Sequence, residues 1–169
     1  MRFDQFSIPA FGSFTDFSLK FDKSPANTDL HLIYGPNEAG KSTLLRAINQ
    51  MLYGIPTRST DTFLHPGSKM LAGATVSEGA QTLSFLRKKG NKNTLLDPEK
   101  NSIEDDSLDS FLGAIDENFF RTMFGLNTES LREGAEDILS GEGDLSTILF
   151  SASLGGSPID DAIKSLENE

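Results

Sequence analysis

The sequence predicts an α/β fold in which a mixed sheet surrounds one central helix and a helical part follows. Three observations predict it. Two N-terminal segments alternate apolar and polar residues. A short apolar run then leads through a glycine-rich turn into a helical repeat. Beyond residue 100 the apolar spacing is helical almost throughout.

Residues 2–8 (RFDQFSI) and 15–22 (TDFSLKFD) alternate on either side of Gly12-Ser13, the pattern of two half-buried strands joined by a turn. Residues 30–34 (LHLIY) are a short apolar run ending at a glycine, which reads as a buried central strand. From Lys41 to Tyr53, Leu44, Leu45, Ala47, Ile48, Met51 and Leu52 recur with helical spacing, and Gly54 and Pro56 stop the helix. Residues 55–68 are rich in Thr, Ser, Pro and Gly and read as a loop. Met70–Val76 and Gln81–Lys88 flank Ser77-Glu78-Gly79-Ala80 as a hairpin, with a short strand near Thr94–Leu96. Leu108, Phe111, Leu112, Ile115 and Phe119 share a helical face; Leu131, Ile138 and Leu139 suggest another helix. Ser157-Pro158-Ile159-Asp160-Asp161 has an N-cap serine, a proline at the first helical position and acids in the first turn. Ile159, Ala162, Ile163 and Leu166 continue it as an amphipathic stripe. The predicted division is therefore residues 1–156 as one lobe and 157–169 as the start of a helix cut within a longer one.

The chemistry lies in Gly35-Pro36-Asn37-Glu38-Ala39-Gly40-Lys41-Ser42, followed by Thr43, which matches the Walker A pattern G-x-x-x-x-G-K-[ST]. Gly35 and Gly40 permit backbone angles that turn successive N–H groups toward phosphate oxygens. Lys41 brings a flexible cation to the β- and γ-phosphates. Ser42 offers a hydroxyl to Mg²⁺, and the helix that begins here points its positive end at the anion. A preceding strand and a following helix are the context this pattern requires. Walker A reads phosphates and not bases, so it leaves adenine and guanine undistinguished.

Composition excludes several other classes. A chain of 169 residues with 37% hydrophobic content suits one folded domain, and no apolar run approaches the ~20 residues needed to span a bilayer. The N-terminus MRFDQF carries an acid where an export signal would be apolar. Absent cysteines exclude disulfides and thiolate metal sites and fit a cytoplasmic protein. His31, expected in a strand, and His65, expected in a loop, do not form a metal cluster. The net charge of −10 argues against tight DNA binding by the chain alone. Its basic cluster, Arg87-Lys88-Lys89-Gly90-Asn91-Lys92, reads as a solvated hairpin tip.

A phosphate cradle hydrolyses nothing by itself. The reaction also needs an acid that anchors Mg²⁺, a group that positions water and a cation opposite the γ-phosphate. Two segments imitate these parts. Phe111–Glu117 (FLGAIDE) looks like a Walker B strand, but its apolar positions continue the helical period. Leu139-Ser140-Gly141-Glu142-Gly143 looks like an ABC signature, but its last two positions depart from the pattern and no apolar strand ending in Asp-Glu follows.

With these features in place, the chain resembles the N-terminal lobe of an ATPase head of the SMC and SbcC group, in its YhaN-like branch. The opening MRFDQFSIPAFGSFTDFSLKFD is similar to that group's first two strands, GPNEAGKSTLLRAI to its Walker A, and Phe119–Gly134 to the region of its Q-loop. The resemblance implies an ABC-type P-loop half-domain that uses ATP and Mg²⁺. It implies a long coiled coil followed by a C-terminal lobe of the same polypeptide carrying signature and Walker B. It further implies a second head in a homodimer, DNA as a target and a nuclease subunit as a further partner. The Q-loop position falls on Asn127, a shorter amide than the family's glutamine, which would reach Mg²⁺ only if its loop sits closer. Where relatives carry an arginine near the phosphates this chain has Gly12. Two other readings stand beside this one: a complete small P-loop kinase or GTPase using Asp116 for magnesium, and a non-hydrolysing interaction module switched by nucleotide.

Overall fold

A computed structural model of the chain describes residues 1–23, 30–125, 131–132 and 135–136. The chain divides into two compact units, Met1–Phe120 and Arg121–Glu169. The first contains an antiparallel five-stranded sheet in the order β2-β1-β3-β4-β5. Its strands are β1 (Arg2–Phe11), β2 (Phe14–Lys20), β3 (Leu71–Glu78), β4 (Gln81–Lys88) and β5 (Leu95–Leu96). The helix α1 (Lys41–Tyr53) packs against β3 and β4.

Strand alternation places one set of side chains under that helix and a polar set on the opposite face. Phe6 and Ile8 of β1, Ala72, Ala74 and Val76 of β3 and Phe85 of β4 are buried with Leu44, Ala47, Met51 and Leu52 of α1. The small residues Ala47, Ala72 and Ala74 let helix and sheet approach closely. On the other face polar side chains pair across strands: Gln5 Nε2 donates to Ser18 Oγ (2.9 Å), and the Thr75 and Ser84 hydroxyls lie 2.8 Å apart. The register of β1 against β3 slips twice, first between Phe3 and Gln5. The second shift, between Ser7 and Ala10, contains Pro9 and turns Phe11 into the core.

Gly73 marks where backbones crowd. A Cβ there would collide with the Phe85 carbonyl oxygen and lie 2.7 Å from the Leu86 Cα. The end of the β4–β5 connection and the start of β5 are held by Asp105, whose carboxylate accepts the amides of Asn93 (2.8 Å), Thr94 (2.9 Å) and Leu95 (3.2 Å). Desolvation pushes this carboxyl up, but the amides of Leu95, Thr94 and Asn93 outweigh it and hold it below the ordinary range. A group whose folded value is depressed adds stability above its unfolded value, near 3.9, and loses it as pH falls through the folded one. Asp105→Asn is therefore expected to lower the melting temperature at pH 7 and to flatten its decline below about pH 4. Parallel acid limbs for the variant and the parent would refute this.

Two expectations are corrected. The sheet of the described residues is antiparallel, not mixed. Residues 30–34 form no strand: Leu30, Leu32 and Tyr34 are 94%, 87% and 90% exposed. An apolar run of this kind is stable as a strand only with a ladder partner and cover on both faces. Among the described residues it has neither. His31 accordingly lies outside any strand, its ring 4.9 Å from that of Phe21.

The single helical face expected from Leu108 to Phe119 is divided between α2 (Asp109–Leu112) and α3 (Glu117–Met123). Gly113 ends α2 in a left-handed conformation at φ 60°. Asp116 starts α3 by accepting the Phe119 amide at 2.8 Å. In the second unit residues 131–132 and 135–136 are helical, with Arg132 Nε 3.9 Å from Glu136 Oε1. Asn127, the segment 139–143 and the helix expected from residue 157 lie outside the described residues.

Candidate functional site

The loop between Tyr34 and α1 acquires its shape from two left-handed residues, Glu38 (φ 66°) and Gly40 (φ 91°), and a tight turn closed by Ala39 N–H to the Pro36 carbonyl (3.3 Å). The second backbone reversal was expected at Gly35 and falls instead on Glu38. What Gly35 supplies is room, since a Cβ there would stand 3.1 Å from that of Ala39. Gly40 also faces a crowded neighbourhood. A Cβ on it would lie 3.0 Å from the Phe14 ring and 3.2 Å from Ser13 Oγ, so the β1–β2 turn packs against the loop.

Helix α1 starts at Lys41, and its first ladder bond is Leu44 N–H to the Gly40 carbonyl, 2.8 Å. The preceding amides lack helical acceptors, as at every helix start, and the helix dipole adds positive potential at the same place. No acid stands in the first turn to cancel it. Lys41 Nζ is held back against the loop, donating to the Gly35 carbonyl (2.8 Å) and the Pro36 carbonyl (2.7 Å). The cation is thus positioned in advance over the concave side of the loop.

These residues line an open cleft of about 570 Å³. Asn37, Glu38, Gly40, Lys41, Ser42 and Thr43 form one wall; Ser13, Arg46 and Phe63 form the rest. Of the nine residues expected at the site, Gly35, Pro36 and Ala39 act behind this wall, through the Lys41 and Pro36 contacts described above. The cleft suits a polyanion: it offers a fixed cation, helix-start amides and the exposed hydroxyl of Ser42.

For magnesium the fit is partial. Ser42 can supply one oxygen, and among the described residues no group of three or more His, Cys, Asp or Glu could hold a metal ion. A cation here would arrive with phosphate oxygens as its main ligands. Asp116, the alternative magnesium anchor, stands at the wrong end of α1. It follows Ile115, whose carbonyl accepts the Tyr53 hydroxyl (3.1 Å) at the last residue of a 13-residue helix that begins with Lys41. At 1.5 Å per residue that is roughly 18 Å from the cleft. The geometry thus gives no support to the self-contained kinase or GTPase that relied on Asp116 for magnesium. The segment 111–117 contains no strand, as its helical period predicted.

Arg46, Asp61 and Phe63 escaped sequence reasoning. Arg46 lies on α1 and grips Asp61 in two-pronged fashion, Nη2 to Oδ1 at 2.6 Å and Nε to Oδ2 at 3.0 Å, with a further bond to Thr43 Oγ1 at 3.2 Å. The hydrogen bond to Asp61 raises the Arg46 guanidinium above its ordinary value against the opposing effect of burial. The Asp61 residue is fully buried, and its carbonyl accepts the Gly12 amide at 3.1 Å. Gly12 has φ 56°, and a Cβ there would collide with the Thr43 methyl, so no larger side chain fits. An arginine of the kind the resemblance places at this position is excluded, and the guanidinium that does reach the cleft is that of Arg46. Arg46 carried a faint signal, as a polar position one turn past Thr43. Asp61 and Phe63 carried none, because no periodicity governs a loop.

No helix among the described residues is long and apolar enough to cross a membrane. The sequence family described as an AAA domain matches the chain over residues 1–169. No curated protein matches it.

Proposed function

The chain belongs to the AAA-domain family, and from that premise we propose that this nucleotide-binding domain of ATPase type is the ATP-gripping N-terminal lobe of a split, SMC/SbcC-like head. Gly35–Thr43 hold the phosphates, Lys41 neutralises the β- and γ-phosphates, and Ser42 contacts Mg²⁺ brought with them. A C-terminal lobe of the same polypeptide supplies the signature, the magnesium-anchoring acid and the water-positioning carboxylate. A second head completes the pair. The full protein works in the cytoplasm on DNA, in repair, recombination or chromosome maintenance, while this acidic lobe contributes little DNA affinity of its own.

One observation carries the split-head reading. The apolar run 30–34 enters the phosphate loop exposed on both faces, with Leu30, Leu32 and Tyr34 at least 87% accessible. Five such residues are stable in water only when neighbouring strands cover them, and β-strands from a complementary lobe are the cover they fit. The positions of Asp61 and Asp116 agree with this. Asp61 is committed to Arg46, and Asp116 lies at the far end of α1.

The purified chain is expected to bind Mg-ATP with negligible turnover. Joining it to its C-terminal lobe should raise turnover by at least ~10³-fold, the order expected when transition-state groups are supplied. The same joining should protect the amides of residues 30–34 from hydrogen exchange. Robust hydrolysis by the chain alone rejects the proposal, as does unprotected exchange at 30–34 in an active joined protein.

A further inference from the structure

Phe63 is a large apolar side chain left 68% exposed at the mouth of a cleft whose other walls are polar. Exposure in a loose loop would mean little, but this residue is fixed from both sides. Two positions before it, Asp61 is buried, gripped by Arg46 and bonded through its carbonyl to Gly12. Two positions after it, His65 Nε2 lies 2.8 Å from the Phe14 carbonyl, which requires that nitrogen to carry the proton. Its other close neighbour is the Thr15 hydroxyl, at 3.0 Å. Residues 61–65 are thus a short strap tied to α1, to the β1–β2 turn and to β2. Its backbone freedom is already spent before any ligand arrives.

The place of the ring is also given. The position a Cβ would take on Gly12 collides with the Thr43 methyl and lies 3.7 Å from the Phe63 Cζ. Phe63 therefore lies next to Gly12 and close to Thr43, in the same cleft as Lys41 and Ser42. A triphosphate whose terminal phosphates lie at Lys41 and Ser42 can extend its remaining atoms past Thr43 to the ring, since all four residues line one cleft. Phosphate and ribose gain little from an aromatic face; a nucleobase gains a stacking surface.

Resting on the assignment of Gly35–Thr43 as the phosphate grip, we infer that Phe63 is the base-binding platform of this site, stacking on the nucleobase and selecting nucleoside triphosphates over bare polyphosphate. The strap holds the ring in its bound position, so the gain is not diminished by ordering a loop. Stacking uses a face common to all bases, so the contact tells nucleotide from polyphosphate and leaves the choice among bases to other groups.

The test compares Mg-ATP with Mg-tripolyphosphate on the whole chain by calorimetry. Phe63→Ala is expected to weaken ATP binding roughly 5- to 100-fold, the range of base–aromatic stacking, and to leave tripolyphosphate affinity unchanged. The chain contains no tryptophan, so Phe63→Trp introduces a unique fluorophore at the platform. Its emission should be quenched by Mg-ATP and not by Mg-tripolyphosphate, with ATP affinity retained. Phe63→Ala binding ATP like the parent overturns the inference, and so does equal quenching by the two ligands. If Phe63→Ala weakens only pairing between chains, the ring is a protein contact and the inference falls. A parent that binds tripolyphosphate but ATP no more tightly removes the platform and keeps the grip. A parent that binds neither removes the grip and the platform together.

Discussion

Lys41→Ala is expected to weaken Mg-nucleotide binding by at least about 100-fold while leaving the melting temperature within a degree or two of the parent. Both parts follow from where the ammonium stands. It is solvent-exposed, and its partners are two loop carbonyls that are open to water once it is removed. Truncation therefore strands no buried acceptor, and folding is hardly affected. Binding is another matter. Charge-assisted bonds from one ammonium to phosphate oxygens are worth about 1.5–3 kcal/mol each, and two of them amount to a factor of a hundred or more. Lys41→Arg should recover only part of the loss, because a planar fork does not fit between the Gly35 and Pro36 carbonyls as a compact ammonium does. Calorimetry decides the matter. Unchanged affinity in the alanine variant would remove the phosphate role, and a collapsed melting temperature would make Lys41 a structural residue.

The parts legible in the sequence were those governed by a local period or a fixed spacing. The strands around Gly12-Ser13, the hairpin at Gly79-Ala80 and the helix from Lys41 to Tyr53 all have patterns that short-range sterics and burial enforce, and they stand where the patterns put them. Six residues of the Walker A stretch line one cleft, since the loop is built from contiguous residues. Residues 30–34 show the limit of a burial pattern. Apolar composition states what a segment needs, and the described residues do not meet that need. The Arg46–Asp61 grip and the placing of Phe63 were not legible, because they join α1 to a loop 15 residues further on through tertiary contacts alone. Gly12 was visible as a turn residue and as the position where relatives carry an arginine. The fact that Thr43 packs where its side chain would be is a property of the assembled fold.

The basic run Arg87–Lys92 is not wholly the solvated hairpin tip that its charge suggests. Lys92 and its neighbours do lie in the connection between β4 and β5, but Arg87 is 7% exposed. Its Nε donates to the Met51 carbonyl (2.8 Å), its Nη2 to the Leu52 carbonyl (3.0 Å) and its Nη1 to Thr94 Oγ1 (2.7 Å). Helix α1 carries no basic residue in its own last turn, so β4 supplies the cation that satisfies its terminal carbonyls and faces the negative end of its dipole. Burial lowers the guanidinium's pKa, with Asp105 opposing; an arginine stays charged through such a shift. Arg87→Met keeps the apolar stem and removes all three bonds. The adjoining cleft of about 430 Å³, which Arg87, Thr94 and Asp105 line, gives water a route to part of what is exposed. The expected cost is therefore about 3 kcal/mol, below the upper end for a broken buried charge network. That corresponds to a fall in melting temperature of roughly 6–12 °C. Arg87→Lys should restore little of it, because one ammonium cannot span three acceptors set around a planar fork. A melting temperature within two or three degrees of the parent in Arg87→Met would show that water replaces the guanidinium fully. Because α1 carries the phosphate loop at its other end, loosening this anchor should also weaken nucleotide binding a few-fold, far less than Lys41→Ala. The ratio of the two losses separates the residue that holds the ligand from the residue that holds the helix.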